Sequence, residues 1–191
     1  FPYIHGQAMM KAGYPFYSCS NEAFTGDSTY RKEAWTADII CGKQVTTVNR
    51  AGGTQRFTVF PEEMQKTLRA FTTGGGNLLV SGAHIATDIW DEVYPVTFDE
   101  AFRDESRKFA REVLGYKWTR NYAGRTGEVM FTESERAGTE EEEAGRFYNT
   151  VNSECYSVET PDGIAPASRK GSTFLKYADT GLSAGVCHEG E

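Results

Sequence analysis

The sequence has few of the residues from which metal and cofactor sites are built. Its three histidines lie far apart, and none of its four cysteines forms a CxxC pair. Structural zinc sites and catalytic metal sites need such ligands in clusters, so we predict neither a metal site nor a cofactor. No apolar run approaches the ~18 residues of a membrane span, so we also predict no membrane span.

A cluster of basic residues is missing as well. The formal net charge is -7, and binding to a phosphate backbone needs grouped Lys and Arg side chains, so nucleic acid is not expected as a partner. The content of 39% hydrophobic and 25% charged residues is ordinary for a globular protein. We predict one α/β domain over residues 1–191. Because the chain starts at Phe1 as if in mid-sequence, we expect it to be a fragment of a larger protein.

The four cysteines leave the redox compartment open. Cys19, Cys41, Cys155 and Cys187 could form two disulfides in an oxidising compartment. Cys41, however, ends the apolar run 39–41, where a free buried thiol is the more common outcome.

The clearest structural unit is a helix, a glycine turn and a strand. Pro61 suits the first turn of a helix, and apolar residues at i, i+4 and i+7 predict one buried stripe. The triple glycine 74–76 ends this helix. Residues 77–80 follow as a short, continuously apolar strand, as expected when both faces of a sheet are covered. This pattern predicts half of a right-handed crossover unit.

The other elements are predicted from periodicity and turn residues. Ser20 or Asn21 is expected to cap a helical turn, and residues 45–58 to form an exposed loop. The remaining predicted helices cover residues 4–12 and 98–114, and the remaining predicted strands cover residues 14–18, 35–41, 116–122, 128–132, 173–177 and 184–187. The last two strands are predicted to form a hairpin.

Polar side chains follow three of the predicted strands. In an open parallel sheet, ligands bind beyond the carboxyl ends of the strands, so these side chains are expected to share one crevice. The predicted ligand-binding residues are Asn21, Glu22, Lys43 and Gln44. The predicted catalytic residues are Ser81, His84 and Asp88. The alternative is that these residues only form turns and caps, where Ser, Asn and Gly are common for backbone reasons.

Ser81 is the candidate nucleophile, because a strand followed by Ser and a helix is the topology of a nucleophile elbow. Such an elbow needs small residues two positions before and after the Ser. Ala83 fits this requirement and Leu79 does not. The pair His188 and Glu189, after a predicted strand, is an alternative source of a base.

Several short motifs together carry a family resemblance. They are HGQA (5–8), GYPF (13–16), SNEA (20–23), IICGKQ (39–44), GGNLLVSGA (75–83), PDGI (161–164) and KYADTGLSAGV (176–186). The chain resembles a domain of large secreted Bacteroidetes proteins that are often called xanthan lyase or golvesin-like. That domain is in turn similar to the flavodoxin-like sheet of class I glutamine amidotransferases.

The resemblance implies a flavodoxin-like three-layer open sheet, mostly parallel. The family's opening strand would lie before Phe1, and its closing strand and helix after Glu191. The resemblance places Ser81 where the amidotransferases have their catalytic cysteine, but the glycines of their elbow are not reproduced. A Ser in place of a thiolate needs a strong base, which argues against glutaminase activity. The lyase activity is not carried over either. The resemblance also implies a secreted, periplasmic or cell-surface location.

Three functions follow as hypotheses. The first is an accessory domain of an exported carbohydrate- or cell-wall-acting protein that binds polysaccharide or cell-wall glycan, motivated by the resemblance and by an aromatic content of 13%. The second is a hydrolase or lyase at the strand ends, with Ser81 as nucleophile or Glu22 and Asp88 as general acid and base. The third is a structural spacer that packs against neighbouring domains of the same chain.

Overall fold

The computed structural model describes residues 2–41, 47–48, 54–55, 58–90, 99–132, 144–146 and 161–190. Within these ranges the helices are α1 (Pro2–Lys11), α2 (Asn21–Gly26), α3 (Thr29–Lys32), α4 (Glu62–Thr73), α5 (Thr87–Trp90) and α6 (Glu100–Glu112). The strands are β1 (Thr36–Cys41), β2 (Thr47–Val48), β3 (Thr54–Gln55), β4 (Asn77–Gly82), β5 (Tyr116–Arg120), β6 (Glu128–Phe131), β7 (Ala144–Arg146), β8 (Gly163–Pro166), β9 (Gly171–Tyr177) and β10 (Ser183–His188).

β1 and β4 form a parallel pair. Thr36 lies opposite Asn77 at one end of the pair, and Cys41 lies opposite Gly82 at the other. Parallel neighbours need a crossover connection, and α4 lies in that connection. The predicted unit of helix, glycine turn and strand is confirmed.

The sequence of α4 explains both its limits and its buried face. Pro61 lies just before the first turn, and the acidic Glu62 and Glu63 favour the positive end of the helix. The predicted stripe is buried, and Leu68 at its centre is 0% exposed. After the helix, Gly75 adopts a left-handed backbone with φ +88°, a conformation that glycine adopts without strain.

The core lies between this parallel pair, α4 and α6. Phe60 and Phe109 pack with ring centroids 5.5 Å apart, and Phe109 is 1% exposed. Gln65 on α4 donates a hydrogen bond to Ser106 on α6 over 2.9 Å, so the helix pair has a satisfied polar contact within its apolar interface.

The prediction of a mostly parallel flavodoxin-like sheet is wrong. Among the described residues only β1 and β4 pair in parallel. The other pairs are antiparallel: a four-stranded sheet in the order β10-β9-β6-β7, the pair β5-β8 and the pair β2-β3. The reason lies in the connections. A parallel neighbour needs a crossover of a dozen or more residues, whereas the short turn after Tyr177 returns the chain as a hairpin.

Individual elements show where sequence patterns succeeded and failed. The predicted hairpin of β9 and β10 is confirmed. Residues 14–18 are not a strand: Tyr14 and Tyr17 are 69% and 92% exposed, so their aromatic side chains have none of the packing from which strand preference arises. The expectation that both faces of residues 77–80 are covered is also wrong, because Leu79 is 48% exposed. The remainder of the predicted loop 45–58, apart from the short strands β2 and β3, lies largely outside the described residues.

Candidate functional site

The carboxyl ends of β1 and β4 are in very close contact. A Cβ atom on Gly82 would lie 2.3 Å from the carbonyl oxygen of Cys41, so a larger residue does not fit there. Side chains alternate between the two faces of a strand. Cys41 belongs to the buried face of β1, whereas Ser81 lies opposite Ile40 and therefore points to the other face of the sheet.

The chain enters the interior directly after β4. Residues 83–89 are all buried. Several of their polar groups form hydrogen bonds with Asp162, which immediately precedes β8. The Asp162 carboxylate accepts hydrogen bonds from the backbone N–H groups of Ala86 and Thr87, both over 3.1 Å. It also accepts bonds from the Thr87 hydroxyl over 2.5 Å and from the Trp118 indole over 3.0 Å. One buried carboxylate thus binds four donors.

Burial and hydrogen bonding act in opposite directions on Asp162. Removal from water raises the pKa of its carboxyl from 3.8 to about 6, although the bonds from Thr87 and Trp118 lower it. Hydrogen bonds to a carboxylate favour its charged form, and burial disfavours it. Here burial is the larger effect.

Asp88 is the second buried acid, on the first turn of α5. It is 6% exposed, and its Oδ2 accepts the backbone N–H of Val59 over 3.0 Å. Burial raises the pKa of Asp88 from 3.8 to about 7, the Val59 N–H lowers it, and the nearby charge of Asp162 raises it further. A carboxyl with a pKa near neutral pH has the property that a general acid requires.

Two tyrosines complete this group. The Tyr116 hydroxyl donates to the Ile85 carbonyl over 2.8 Å, and the Tyr177 hydroxyl donates to the Asp162 carbonyl over 2.7 Å. Burial raises the pKa of both hydroxyls, so both remain donors at neutral pH. We call the six side chains that make these contacts the aspartate cluster: Thr87, Asp88, Tyr116, Trp118, Asp162 and Tyr177.

The aspartate cluster joins distant parts of the fold. It connects the segment after β4 to β5, β8 and β9, and its two carboxylates are 4% and 6% exposed. Buried polar groups of this kind are stabilised only when they are hydrogen-bonded, and here each carboxylate accepts backbone N–H groups. The cluster therefore holds the strand-end segment in place and does not open to solvent in this conformation.

The predicted site residues occupy different places. Ser81 faces away from the buried face, His84 is 4% exposed with Nδ1 3.4 Å from the Thr87 hydroxyl, and Asp88 belongs to the aspartate cluster. Lys43 and Gln44 lie outside the described residues. A crevice that Lys43 and Gln44 share with any of these residues stays a prediction.

Asn21 and Glu22 begin α2, and Ser20 caps that helix as predicted, accepting the Ala23 N–H over 3.2 Å. α2 packs through Phe24 against Phe71, with ring centroids 6.4 Å apart. Phe71 lies at the end of α4, beside the glycine turn that leads into β4. The structure therefore places α2 near the amino end of β4, whereas Ser81 lies near its carboxyl end.

An open cleft of about 700 Å³ lies at that amino end of β1 and β4. We call it the Trp35 cleft. Its walls come from α3, from the residues before β1 and from the end of α4: Ser28, Arg31, Lys32, Glu33, Ala34, Trp35, Ala70, Phe71, Gly74, Gly75 and Gly76. Trp35 is 83% exposed. The sequence gives no signal for this exposure, because a Trp beside a strand is most often part of the core.

The Trp35 backbone is held firmly although its indole is exposed. Its carbonyl accepts the backbone N–H of Asn77 over 2.9 Å and the side-chain N–H of Asn77 over 3.2 Å. Arg31 is anchored next to it: one guanidinium nitrogen donates to the carbonyls of Phe24 and Thr25. The cleft thus has a rigid frame with an aromatic surface and a basic wall.

No family model, no curated protein and no solved structure matches this chain. The described helices include none that is both long and apolar enough to cross a bilayer. Over the same described ranges, no group of three or more His, Cys, Asp or Glu side chains is placed to hold a metal ion.

Proposed function

We propose that this chain is an accessory domain that binds glycan for an exported carbohydrate- or cell-wall-acting protein, and that the Trp35 cleft is its binding surface. The observation that carries the proposal is the exposed indole of Trp35 on a fixed backbone. Large apolar side chains cost free energy when they face water, and a rigid exposed aromatic ring recovers that cost when a ligand covers it. The apolar face of a sugar ring has the shape and chemistry to do so.

The surroundings of Trp35 support a polar ligand. Binding sites for small ligands combine apolar lining with a few placed polar groups. Lys32 and Glu33, shortly before Trp35 in the chain, are both exposed and line the Trp35 cleft. Hydroxyl groups of a sugar accept from an ammonium and donate to a carboxylate, so both side chains suit the rim of such a site.

The test is a glycan array with neutral and acidic cell-wall and plant polysaccharides, followed by calorimetry with the bound glycans. Replacement Trp35→Ala should weaken binding at least ~30-fold, since truncation of a central interface Trp costs at least about 2 kcal/mol. The matched control is Tyr17→Ala, which removes an aromatic ring that is 92% exposed and outside the cleft.

The proposal fails if no glycan of the panel binds, or if Trp35→Ala binds as tightly as the unchanged protein. A structural role is the competing explanation for an exposed Trp. It predicts that Trp35→Ala weakens packing against a neighbouring domain, measured as interdomain proteolysis in the full-length protein, with no change in glycan binding.

A second candidate function is hydrolysis with Asp88 as general acid, motivated by its pKa of about 7. This function requires the aspartate cluster to open, because Asp88 is buried. In a full-length protein with measurable hydrolysis, Asp88→Asn should lower activity sharply. It should also remove from the pH profile of the residual activity the basic limb that a general acid contributes. An unchanged profile would remove Asp88 from the mechanism, and Ser81→Ala tests the nucleophile in the same assay.

A further inference from the structure

A second cleft, of about 520 Å³, lies between the loop after β5 and the turn between β9 and β10. We call it the Arg120 cleft. Arg120 lines it from the end of β5, Tyr122, Arg125 and Thr126 from the loop, and Asp179 and Thr180 from the turn. Two arginines and a tyrosine thus face one opening in a protein whose net charge is negative.

The floor of the Arg120 cleft is rigid. The Asp179 carboxylate accepts the backbone N–H groups of Arg125 and Thr126 over 2.7 and 3.3 Å. The Thr180 hydroxyl donates to the Ala123 carbonyl over 2.5 Å. Gly124 packs so closely that a Cβ there would lie 2.5 Å from the Tyr177 ring. A site whose frame is fixed in advance loses little entropy when a ligand binds.

Tyr122 has an unusual backbone. Its φ is +55°, the left-handed region, and it is the non-glycine residue with positive φ among the described residues. Bulky residues are rarely found in this region and are strained there. The Asn121 side chain holds the conformation by accepting the Tyr122 N–H over 3.0 Å. The Tyr122 residue is 56% exposed and lines the cleft.

The charge of the cleft suits an anion. Arg120 is fixed through its Nε, which donates to the Asn121 carbonyl over 3.2 Å, and this bond leaves its terminal nitrogens available as a pair of donors. Arg125 adds a second positive charge, while Asp179 directs one oxygen to backbone donors of the loop. A planar guanidinium binds a carboxylate through two parallel hydrogen bonds, a geometry that lysine lacks.

We propose that the Arg120 cleft binds the carboxylate of an acidic sugar residue, with Arg120 and Arg125 pairing with the carboxylate and Tyr122 covering the sugar ring. The evidence for carboxylate binding is the pair of arginines and the fixed loop. The sugar part rests on the proposed glycan-binding function. The cleft would then select acidic over neutral glycans, while the Trp35 cleft contributes stacking without regard to charge.

The experiment measures binding of three small probes by NMR titration or calorimetry: galacturonate, galactose and acetate. Galacturonate should bind, and galactose should bind at least tenfold more weakly. Arg120→Gln and Arg125→Gln should each weaken galacturonate binding at least tenfold. The control is Arg169→Gln, at an exposed arginine of the turn before β9, which should leave binding unchanged. Higher salt should weaken galacturonate binding, as screening predicts.

Equal binding of galacturonate by the two arginine variants and the unchanged protein would refute the proposal, provided that circular dichroism shows all variants folded. Equal affinity for acetate and galacturonate would refute the assignment to a sugar. The two proposals fail separately. If neutral glycans bind through Trp35 but galacturonate is not preferred, the Arg120 cleft is wrong and the glycan-binding function stands. If galacturonate binds through the arginines but Trp35→Ala changes the binding of no glycan, the Trp35 cleft is wrong as the binding surface and the Arg120 cleft stands.

Discussion

Replacement of Asp88 by Asn tests the account of the aspartate cluster most directly. Asp88 is buried and its carboxylate accepts the Val59 N–H. Asn keeps an oxygen that can accept the same bond but cannot ionise. The change therefore removes the ionisation of the buried carboxyl and preserves its size and its main contact.

The size of the pH-dependent contribution of Asp88 to the free energy of unfolding follows from its pKa. Burial raises the pKa of Asp88 from 3.8 to about 7, so the folded state holds the proton more tightly than the unfolded state. The stability that Asp88 contributes is fully present below pH 3.8 and is lost as the pH rises through about 7. At ~1.4 kcal/mol per pKa unit, the loss between pH 4 and pH 8 is about 4 kcal/mol. Asp88→Asn does not suffer this loss.

The assay is urea unfolding followed by tryptophan fluorescence at pH 4, 5, 6, 7 and 8. The free energy of unfolding of Asp88→Asn, minus that of the unchanged protein, should increase by about 4 kcal/mol from pH 4 to pH 8. Asp104→Asn, at an exposed position of α6, controls for the loss of a surface carboxylate. A difference for Asp88→Asn that varies by less than about 1 kcal/mol over this range would refute the buried ionisation.

Two further predictions concern the contact between β1 and β4. Gly82→Ala should destabilise the protein by about 2–3 kcal/mol or more, because the new Cβ would lie 2.3 Å from the Cys41 carbonyl. Gly26→Ala, with no atom within 4 Å of the added Cβ, should be neutral or stabilising in the same urea assay; equal effects would contradict the close contact. Burial raises the pKa of the Cys41 thiol to about 12, so this thiol is unreactive at pH 8 in the folded protein. A thiol reagent should modify the exposed Cys19 and Cys187 at once, and Cys41 only as fast as the protein unfolds. Rapid modification of Cys41 in the folded protein would show that it is accessible.

Patterns within a few residues were predictable from the sequence. The stripe of α4, the glycine turn after it and the β9-β10 hairpin all depend on contacts between near neighbours or on glycine conformation. The Ser20 cap is of the same kind, since a hydroxyl bonds a backbone N–H three residues ahead. In each case the physical cause and its effect lie within one helix or one hairpin.

The aspartate cluster could not be predicted in this way. Asp88 was selected from the sequence as a polar residue after a strand, but the partner that organises its segment, Asp162, lies 76 residues from Ala86. Nothing in the run 161–163 indicates which segment Asp162 binds. A resemblance to a parallel fold was equally uninformative about the second half of the chain, where short turns produce antiparallel pairs.

The sequence alone thus determined the local elements: where α4 begins and ends, which of its residues are apolar, and where a hairpin turns. Tertiary structure decided which strands pair, which face Ser81 and Leu79 occupy, and which acids lose contact with water. The physical reason is that helix and turn preferences arise from neighbouring residues, whereas burial depends on packing between segments distant in the chain. The pKa of Asp88 and the exposure of Trp35 both follow from that packing.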